Sequence, residues 1–418
     1  MPLPGGVAIC WGLKEPAYAA SPLLPGLNQE LPRERTSLEQ MAGDCHATNG
    51  SEISFYWCFP FWVLAAQLQL RGIALAGLSD FEAAGRSPGL IVLVDLPLQR
   101  SAFQQLSSRY PGVPLVLLVA ETPLERQAQH CGANLHYFSA VLSYNGRLGS
   151  NCPQLQVCNL PFRFSRSTQH HIQPLLSPLK RPVLCTYVGN AHSSGWRRNY
   201  QYQLGSRGWP LLWQYLQGWR LPIAAAWRDE RYGAYGVRAA AVLAASSVFA
   251  SRFVLSGKSW GTGGTGWFSR WFPDRRLKLQ SQHLCLSPGS KVTALRNSTF
   301  TLACENYLGD PGYVSEKVFD AMAAGSIPIY IGAPDSLPVE LKNAVIDLSG
   351  LPRRVLQSPQ RLQAVLTEIT AMPEEELLQR QQACLNFMDQ RYEQFYGLGP
   401  FLKAFHAVFA ELCPCASC

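Results

Sequence analysis

Residues 300–334 read FTLACENYLGDPGYVSEKVFDAMAAGSIPIYIGAP, and the fold class turns on them. Residues 299–303 (TFTLA) are a short apolar run with β-branched residues, the pattern of a buried strand, and they lead to Glu305-Asn306. A loop with Gly309, Pro311 and Gly312 follows. Ser315 then stands where a helix over 315–324 needs an N-cap, and Gly325 stands where that helix ends. Val318, Phe319, Met322 and Ala323 supply its apolar face. Residues 327–331 (IPIYI) are a second buried strand. Strand, helix and strand in so short a span make a βαβ unit, hence a parallel sheet with a right-handed crossover.

The alternation extends in both directions. Residues 89–95 (GLIVLVD) and 113–119 (VPLVLLV) are buried strands around a helix at 102–109, with further strands at 135–145 and 154–160. Residues 61–70 form an amphipathic helix with Gly72 as its C-cap. Beyond a proline-bearing stretch, strands are expected at 183–189, 252–255 and 344–348. Helices are expected at 236–249, 359–371, 374–391 and 400–412. The implied organisation is an N-terminal extension (1–50), a Rossmann-like domain (51–165), a linker (166–182), a second Rossmann-like domain (183–395) and a C-terminal helix with a cysteine tail (396–418). Two doubly wound α/β domains facing one another place a ligand cleft at the carboxyl ends of their strands.

Composition sets the outer limits. Of 418 residues, 47% are hydrophobic and 15% charged, which excludes disorder over most of the chain. There is no triplet glycine period and no sustained heptad, so collagen and coiled coil are excluded as well. The net charge of +8 is scattered, which suits a phosphate-bearing partner or peripheral contact with an anionic membrane and gives no nucleic-acid groove. The 13 cysteines are irregularly spaced and mostly within apolar stretches, as in a reduced, cytoplasmic protein. The terminal Cys413, Cys415 and Cys418 read as a frayed tail rather than a metal site. No basic region leads into an apolar core at the N-terminus, so no signal peptide is read there, and residues 53–66 fall short of the roughly 20 apolar residues a span needs and read as a buried helix start.

The start of the 315–324 helix is the first candidate site. Free backbone N–H groups there, with the Lys317 ammonium, favour a diphosphate, and Glu316 can accept hydroxyl hydrogen bonds from a ribose or a sugar. The bland alternative is an ordinary capped helix with a solvated Glu–Lys pair. Gly261 to Gly266 match G-x-G-x-x-G, but the continuation WFSRWFPDRR carries Pro273 and lacks helical periodicity, so this reads as a glycine loop and not a dinucleotide fingerprint. His130 and His136 lack metal-ligand spacing and read as packing or surface residues. Asn49-Gly50-Ser51 and Asn297-Ser298-Thr299 match the glycosylation pattern but mean little without a secretion signal.

The full motif closely resembles the donor-binding signature of glycosyltransferase family 10, the α-1,3/1,4-fucosyltransferases, in its bacterial form. The matching residues are Glu305-Asn306, Tyr313-Val314-Ser315-Glu316-Lys317, Ala324-Gly325-Ser326-Ile327-Pro328-Ile329 and Gly332-Ala333-Pro334. Upstream, Arg238 precedes Leu255-Ser256-Gly257-Lys258-Ser259-Trp260 at the family's spacing. Leu118-Val119-Ala120-Glu121-Thr122-Pro123 resembles the family's E-x-P element. The resemblance runs from residue 55 to about 400. Cys304 departs from it, standing where an aromatic residue usually precedes Glu-Asn.

The resemblance implies a GT-B fold and inverting transfer of fucose from GDP-fucose to a hydroxyl of a saccharide acceptor, with no cofactor or metal required. It implies Glu121 as general base and Arg238 as the diphosphate-binding arginine, with Arg197 or Arg198 as rivals. Asn306, Tyr313, Ser315, Glu316 and Lys317 complete the donor site, with Glu316 also placed to steady positive charge on the sugar. A related enzyme using another nucleotide sugar, or a saccharide-binding relative without catalysis, are the competing expectations.

Overall fold

The computed structural model describes residues 5–11, 24–47, 52–97, 99–124, 126–158, 177–189, 218–219, 233–257 and 291–412. Contacts divide the chain into two compact units. The first takes its described residues from Met1–Ile172, Leu211–Ile223 and Glu393–Cys418, the second from Gln173–Pro210 and Ala224–Tyr392.

The first unit holds a six-stranded parallel sheet in the order β2-β1-β3-β4-β5-β6. Its strands are β1 (Val7–Trp11), β2 (Leu75–Gly77), β3 (Leu90–Val94), β4 (Leu115–Val119), β5 (Ala140–Ser143) and β6 (Leu155–Val157). Every residue of β3, β4 and β5 is buried, which is why these segments are continuous apolar runs. The helices are α1 (Arg35–Ala47), α2 (Glu52–Gln69), α3 (Leu78–Ala83) and α4 (Arg100–Arg109). After α2 the chain reverses at Gly72, whose φ of 71° only glycine adopts freely.

The second unit repeats the plan with β7 (Val183–Val188), β8 (Phe253–Ser256), β9 (Ser298–Cys304), β10 (Ile327–Ile331) and β11 (Ile346–Asp347), all parallel, in the order β8-β7-β9-β10-β11. Its helices are α5 (Tyr235–Phe249), α6 (Lys291–Arg296), α7 (Glu316–Ala323), α8 (Arg353–Leu356), α9 (Pro359–Thr370) and α10 (Glu374–Gln390). The alanines of α5 (Ala239, Ala240, Ala241, Ala244 and Ala245) are all buried in one core with Phe300 of β9 and Leu362 and Leu366 of α9. A short turn, α11 (Tyr392–Phe395), leads to α12 (Leu398–Leu412).

In each sheet the second strand lies on one side of the first and the later strands on the other. Strand order therefore reverses between β1 and β3 and again between β7 and β9. These are doubly wound, Rossmann-like α/β units, and each reversal opens a crevice at the strands' carboxyl ends. The expected α/β class is thus what the chain adopts.

Several local expectations need correction. Residues 1–50 contain β1, paired in register with both β2 and β3, and α1, so they are not merely a loose extension. Helix α2 runs from Glu52 through Pro60 to Gln69, so the helix start read at 53–66 and the helix read at 61–70 are one element. The expected strand at 135–145 shrinks to β5, because a 3₁₀ turn occupies Gly132–Tyr137. The helix expected at 400–412 forms as α12 and packs in the first unit: Phe61 of α2 meets Phe401 and Phe405 edge-on, at 5.6 and 6.1 Å between ring centroids. Trp219, from the stretch between β7 and α5, is buried against Phe103 of α4, and Arg100 holds the Gly218 carbonyl at 3.0 Å. Among the described residues no helix is long and apolar enough to cross a membrane.

Candidate functional site

The reversal between β7 and β9 carries the densest group of expected residues. Tyr187 and Gly189 lie at the carboxyl end of β7, and Glu305 and Asn306 directly follow β9. Arg238 sits in the first turn of α5 and is buried at 5% exposure. Its Nε donates to the Tyr187 hydroxyl at 2.7 Å and its Nη1 to Asn306 Oδ1 at 2.8 Å. The guanidinium also lies 5.2 Å from the Tyr235 ring centre and 5.7 Å from that of Tyr187. Burial pushes the Tyr187 phenol up, so the hydroxyl stays neutral and acts as acceptor for the arginine. Gly189 keeps the approach open: a Cβ there would come within 2.7 Å of the Tyr187 hydroxyl and 3.0 Å of Arg238 Nη2.

The second group is the start of α7. Ser315 is its N-cap, with its side chain accepting from the Lys317 N–H. Glu305, fully buried, fixes that cap from outside the helix: its carboxylate accepts from the Ser315 N–H at 2.8 Å and from the Ser315 hydroxyl at 2.6 Å. Lys317 Nζ donates to Ser315 Oγ at 3.1 Å and lies 3.8 Å from Glu305 and 3.7 Å from Glu316. Burial is the largest influence on Glu305 and pushes its carboxyl up, against the pull of Lys317 and Ser315. Burial would raise Glu316 as well, but Lys317 and then Lys291 outweigh it and hold the carboxyl at about 2. Glu316 therefore stays ionised at any physiological pH. Tyr313 is half-buried in the loop before the cap, where its N–H donates to the Asp310 carbonyl at 3.1 Å. Gly325, at φ 68°, then ends α7 and turns the chain into β10.

Lys291 and Glu305's grip on the cap are features that the sequence reading missed. Lys291 Nζ is 2.5 Å from the fully buried Asp320 and 3.8 Å from Glu316, so one ammonium spans the first two turns of α7. Burial would lower this lysine, but Asp320 and then Glu316 raise it overall. Asp320 follows Glu316 by four residues, so the two share a helix face, and that spacing was the available signal. Cys304 is buried in the core, its thiol pushed up to about 12 by that burial.

Glu121 belongs to the first unit, two residues past β4, and is half-buried. Its N–H donates to Asp95 Oδ1 at 3.0 Å, and its carbonyl faces Nε2 of His130 at 2.9 Å. His130, expected as a packing or surface residue, is half-buried and packs on the main chain of the expected base. His136 is exposed and stacks on Tyr137 with ring centres 3.8 Å apart. The structure brings Arg238, Asn306, Ser315, Glu316 and Lys317 into one unit at one strand reversal, and places Glu121 at a strand end of the other. Arg197, Arg198, the 261–266 glycine loop, Lys258, the Asn49 sequon and the cysteine tail lie outside the described residues. Among the described residues no group of His, Cys, Asp or Glu is placed to hold a metal ion.

No family model matches the sequence. Similar solved structures include an α1,3-fucosyltransferase with GDP, at 11% identity and TM-score 0.41 over 82% of this chain and 83% of that one. A UDP-forming α,α-trehalose-phosphate synthase from Burkholderia xenovorans is 8% identical with TM-score 0.48, over 98% and 99% of the two chains. An α-glucosyltransferase in complex with UDP-glucose and DNA is 11% identical with TM-score 0.41, over 96% and 100%.

Proposed function

We propose that the chain is a GT-B glycosyltransferase that moves a sugar, fucose from GDP-fucose, to a hydroxyl of a saccharide acceptor with inversion. One observation supports the reading: Arg238 bonds Asn306 and the helix cap bonds the adjacent Glu305, so an arginine, a capped helix start and an ionised glutamate flank the end of β9 at the β7–β9 reversal, the crevice where a doubly wound sheet takes a nucleotide.

The chemistry assigns the parts. The carboxylate of Glu121 takes the proton of the acceptor hydroxyl as its oxygen attacks the anomeric carbon. The bond from that carbon to the diphosphate oxygen breaks, its electron pair stays on the diphosphate, and GDP leaves. General-base catalysis of this kind contributes about 10²–10⁴-fold. Arg238 meets the charge on the leaving group, since its planar fork suits two phosphate oxygens, and the N–H groups at the start of α7 add to it. Lys317 already faces two carboxylates, so it shapes the helix start as much as it binds. Glu316 accepts hydroxyls of the ribose or sugar and steadies positive charge at the anomeric carbon, with Asn306 and Tyr313 in support. Protein cations serve the leaving group in this reading, and no resident cofactor is proposed. The reading places the protein in the cytoplasm, with its basic residues making peripheral contact at the inner membrane.

The test is release of nucleoside diphosphate from a panel of GDP-, UDP- and ADP-sugars, followed by labelled donor on a glycan array. GDP release from GDP-fucose with label on a glycan is the expected result. Turnover of another donor alone would move the reading to a different nucleotide sugar. Glycan binding without turnover of any donor would make the chain a binding relative.

A further inference from the structure

Every main-chain polar group of Glu121 is engaged by side chains from other segments. Its N–H donates to Asp95 Oδ1 at 3.0 Å, and the N–H of Ala120 donates to the same oxygen at 2.8 Å. Its carbonyl accepts from Gln129 Nε2 at 3.1 Å and from the Tyr144 hydroxyl at 3.3 Å, with His130 Nε2 at 2.9 Å. A carbonyl only accepts, so this His130 nitrogen carries the hydrogen, and Asn145 Nδ2 faces the other ring nitrogen at 3.3 Å. Gln129 links the parts: its Nε2 also donates to Asp95 Oδ1 at 2.6 Å, and its Oε1 accepts from the Leu96 N–H at 2.9 Å.

Asp95 makes this arrangement costly. It sits just past β3 with φ at 58°, the left-handed region that a side chain disfavours, and it is fully buried. Its Oδ2 is enclosed and accepts no hydrogen bond from the described residues. Burial outweighs its donors and the Arg126 charge beside it and pushes its carboxyl up. A strained, buried carboxyl persists where its surroundings over-determine it, and such positions gather at functional sites. Here the cost secures two consecutive peptides, one of them that of Glu121.

We propose that Asp95, Gln129 and His130 are positioning residues that lock the Glu121 peptide and so fix where its carboxylate is presented at the end of the sheet. The proposal rests on the reading of Glu121 as the base, and its experiment separates the two. The full-length protein is compared with Asp95→Ala, Asp95→Asn, His130→Phe and Glu121→Gln. Hydrogen exchange at the Ala120 and Glu121 amides is measured together with kcat, KM and the pH profile of kcat, using the donor found by the panel.

Asp95→Ala should speed exchange at both amides at least tenfold and lower kcat roughly 10- to 100-fold, since small misplacements of a reacting group cost this much. Donor KM should stay within about twofold, and the acidic limb of the kcat profile should shift. Asp95→Asn keeps an acceptor oxygen and should restore most of both. His130→Phe keeps a ring, serves should Asp95→Ala fail to fold, and should show a smaller loss of the same kind. Unchanged exchange, or faster exchange with unaltered kcat and pH profile, would overturn the proposal. Full turnover by Glu121→Gln would instead remove the base itself, whatever the exchange shows.

Discussion

Arg238 Nη1 donates to Asn306 Oδ1 at 2.8 Å, which ties the first turn of α5 to the residue pair that follows β9. The two come from separate strand–helix connections, and only the strand reversal brings them together. If this arginine forks onto a diphosphate, Arg238→Ala should weaken GDP binding roughly 10- to 100-fold, the range for a lost charge-assisted hydrogen bond. Arg238→Lys should recover little, because an ammonium cannot hold Tyr187, Asn306 and a phosphate in one plane. Isothermal titration with GDP measures both. Unchanged affinity in Arg238→Ala would move the role to Arg197 or Arg198.

Gly189→Ala approaches the same arginine from another side. The added methyl meets the Tyr187 hydroxyl and Arg238 Nη2 at 2.7 and 3.0 Å, the first on a fully buried ring and the second at the end of the longer, more flexible side chain. The expected outcome is a modest change in thermal stability with a clear loss of GDP affinity, because the guanidinium moves. Equal affinity in this variant and the wild type would show that the guanidinium's position does not matter to the nucleotide.

Glu121→Ala separates chemistry from binding. It should lower transfer by about 10²–10⁴-fold while GDP affinity stays near the wild-type value. Single-turnover rates alongside titration make the comparison, and a variant that keeps its rate takes Glu121 out of the mechanism.

Where the sequence carried a continuous, β-branched apolar run it was readable: β10 occupies 327–331 as expected, and β3 and β4 differ from expectation only at their ends. The cap at Ser315 was visible because capping is local. Strand β1 was hidden, since its short apolar run follows the Pro- and Gly-rich MPLPGG and becomes a strand only when Leu75 and Leu90 pair with Val7. Asp95 was read as the end of a strand, and its left-handed backbone has no composition signal. Lys291 was invisible as a partner of Glu316 and Asp320, because the intervening strand and loop have to fold before the three side chains meet. Local chemistry was legible in the sequence, and the partners that hold it in place were tertiary.

Acid should act on the two units in different ranges. Burial lowers His130 from 6.5 to about 4, so the unfolded chain takes up a proton first. The first unit should therefore lose this contribution between about pH 6.5 and 4. Glu316 is lowered from 4.5 to about 2, and its stabilisation is present above 4.5 and lost as pH falls toward 2. Hydrogen exchange of amides in β4 and in β10 against pH reads the two units separately. His130→Phe should flatten the first response and Glu316→Gln the second, each without touching the other.

The Lys291–Asp320 pair yields the sharpest stability prediction. Asp320 is fully buried, and Lys291 Nζ lies 2.5 Å from it. Lys291→Met removes that ammonium and leaves the carboxylate in a low-dielectric site, a change that typically costs about 3–5 kcal/mol. Replacing both partners by apolar residues of similar size, Lys291→Met with Asp320→Leu, should recover most of that loss, because the charge that needed pairing is gone. The double variant should still bind GDP less tightly than wild type: Glu316 loses one of the two lysines that hold it, and its carboxyl rises from about 2. Urea unfolding and GDP titration on the same three proteins decide the matter. Stability restored with weaker binding is the expected pair of results, whereas a double variant with wild-type affinity would leave Lys291 a purely structural partner of Asp320.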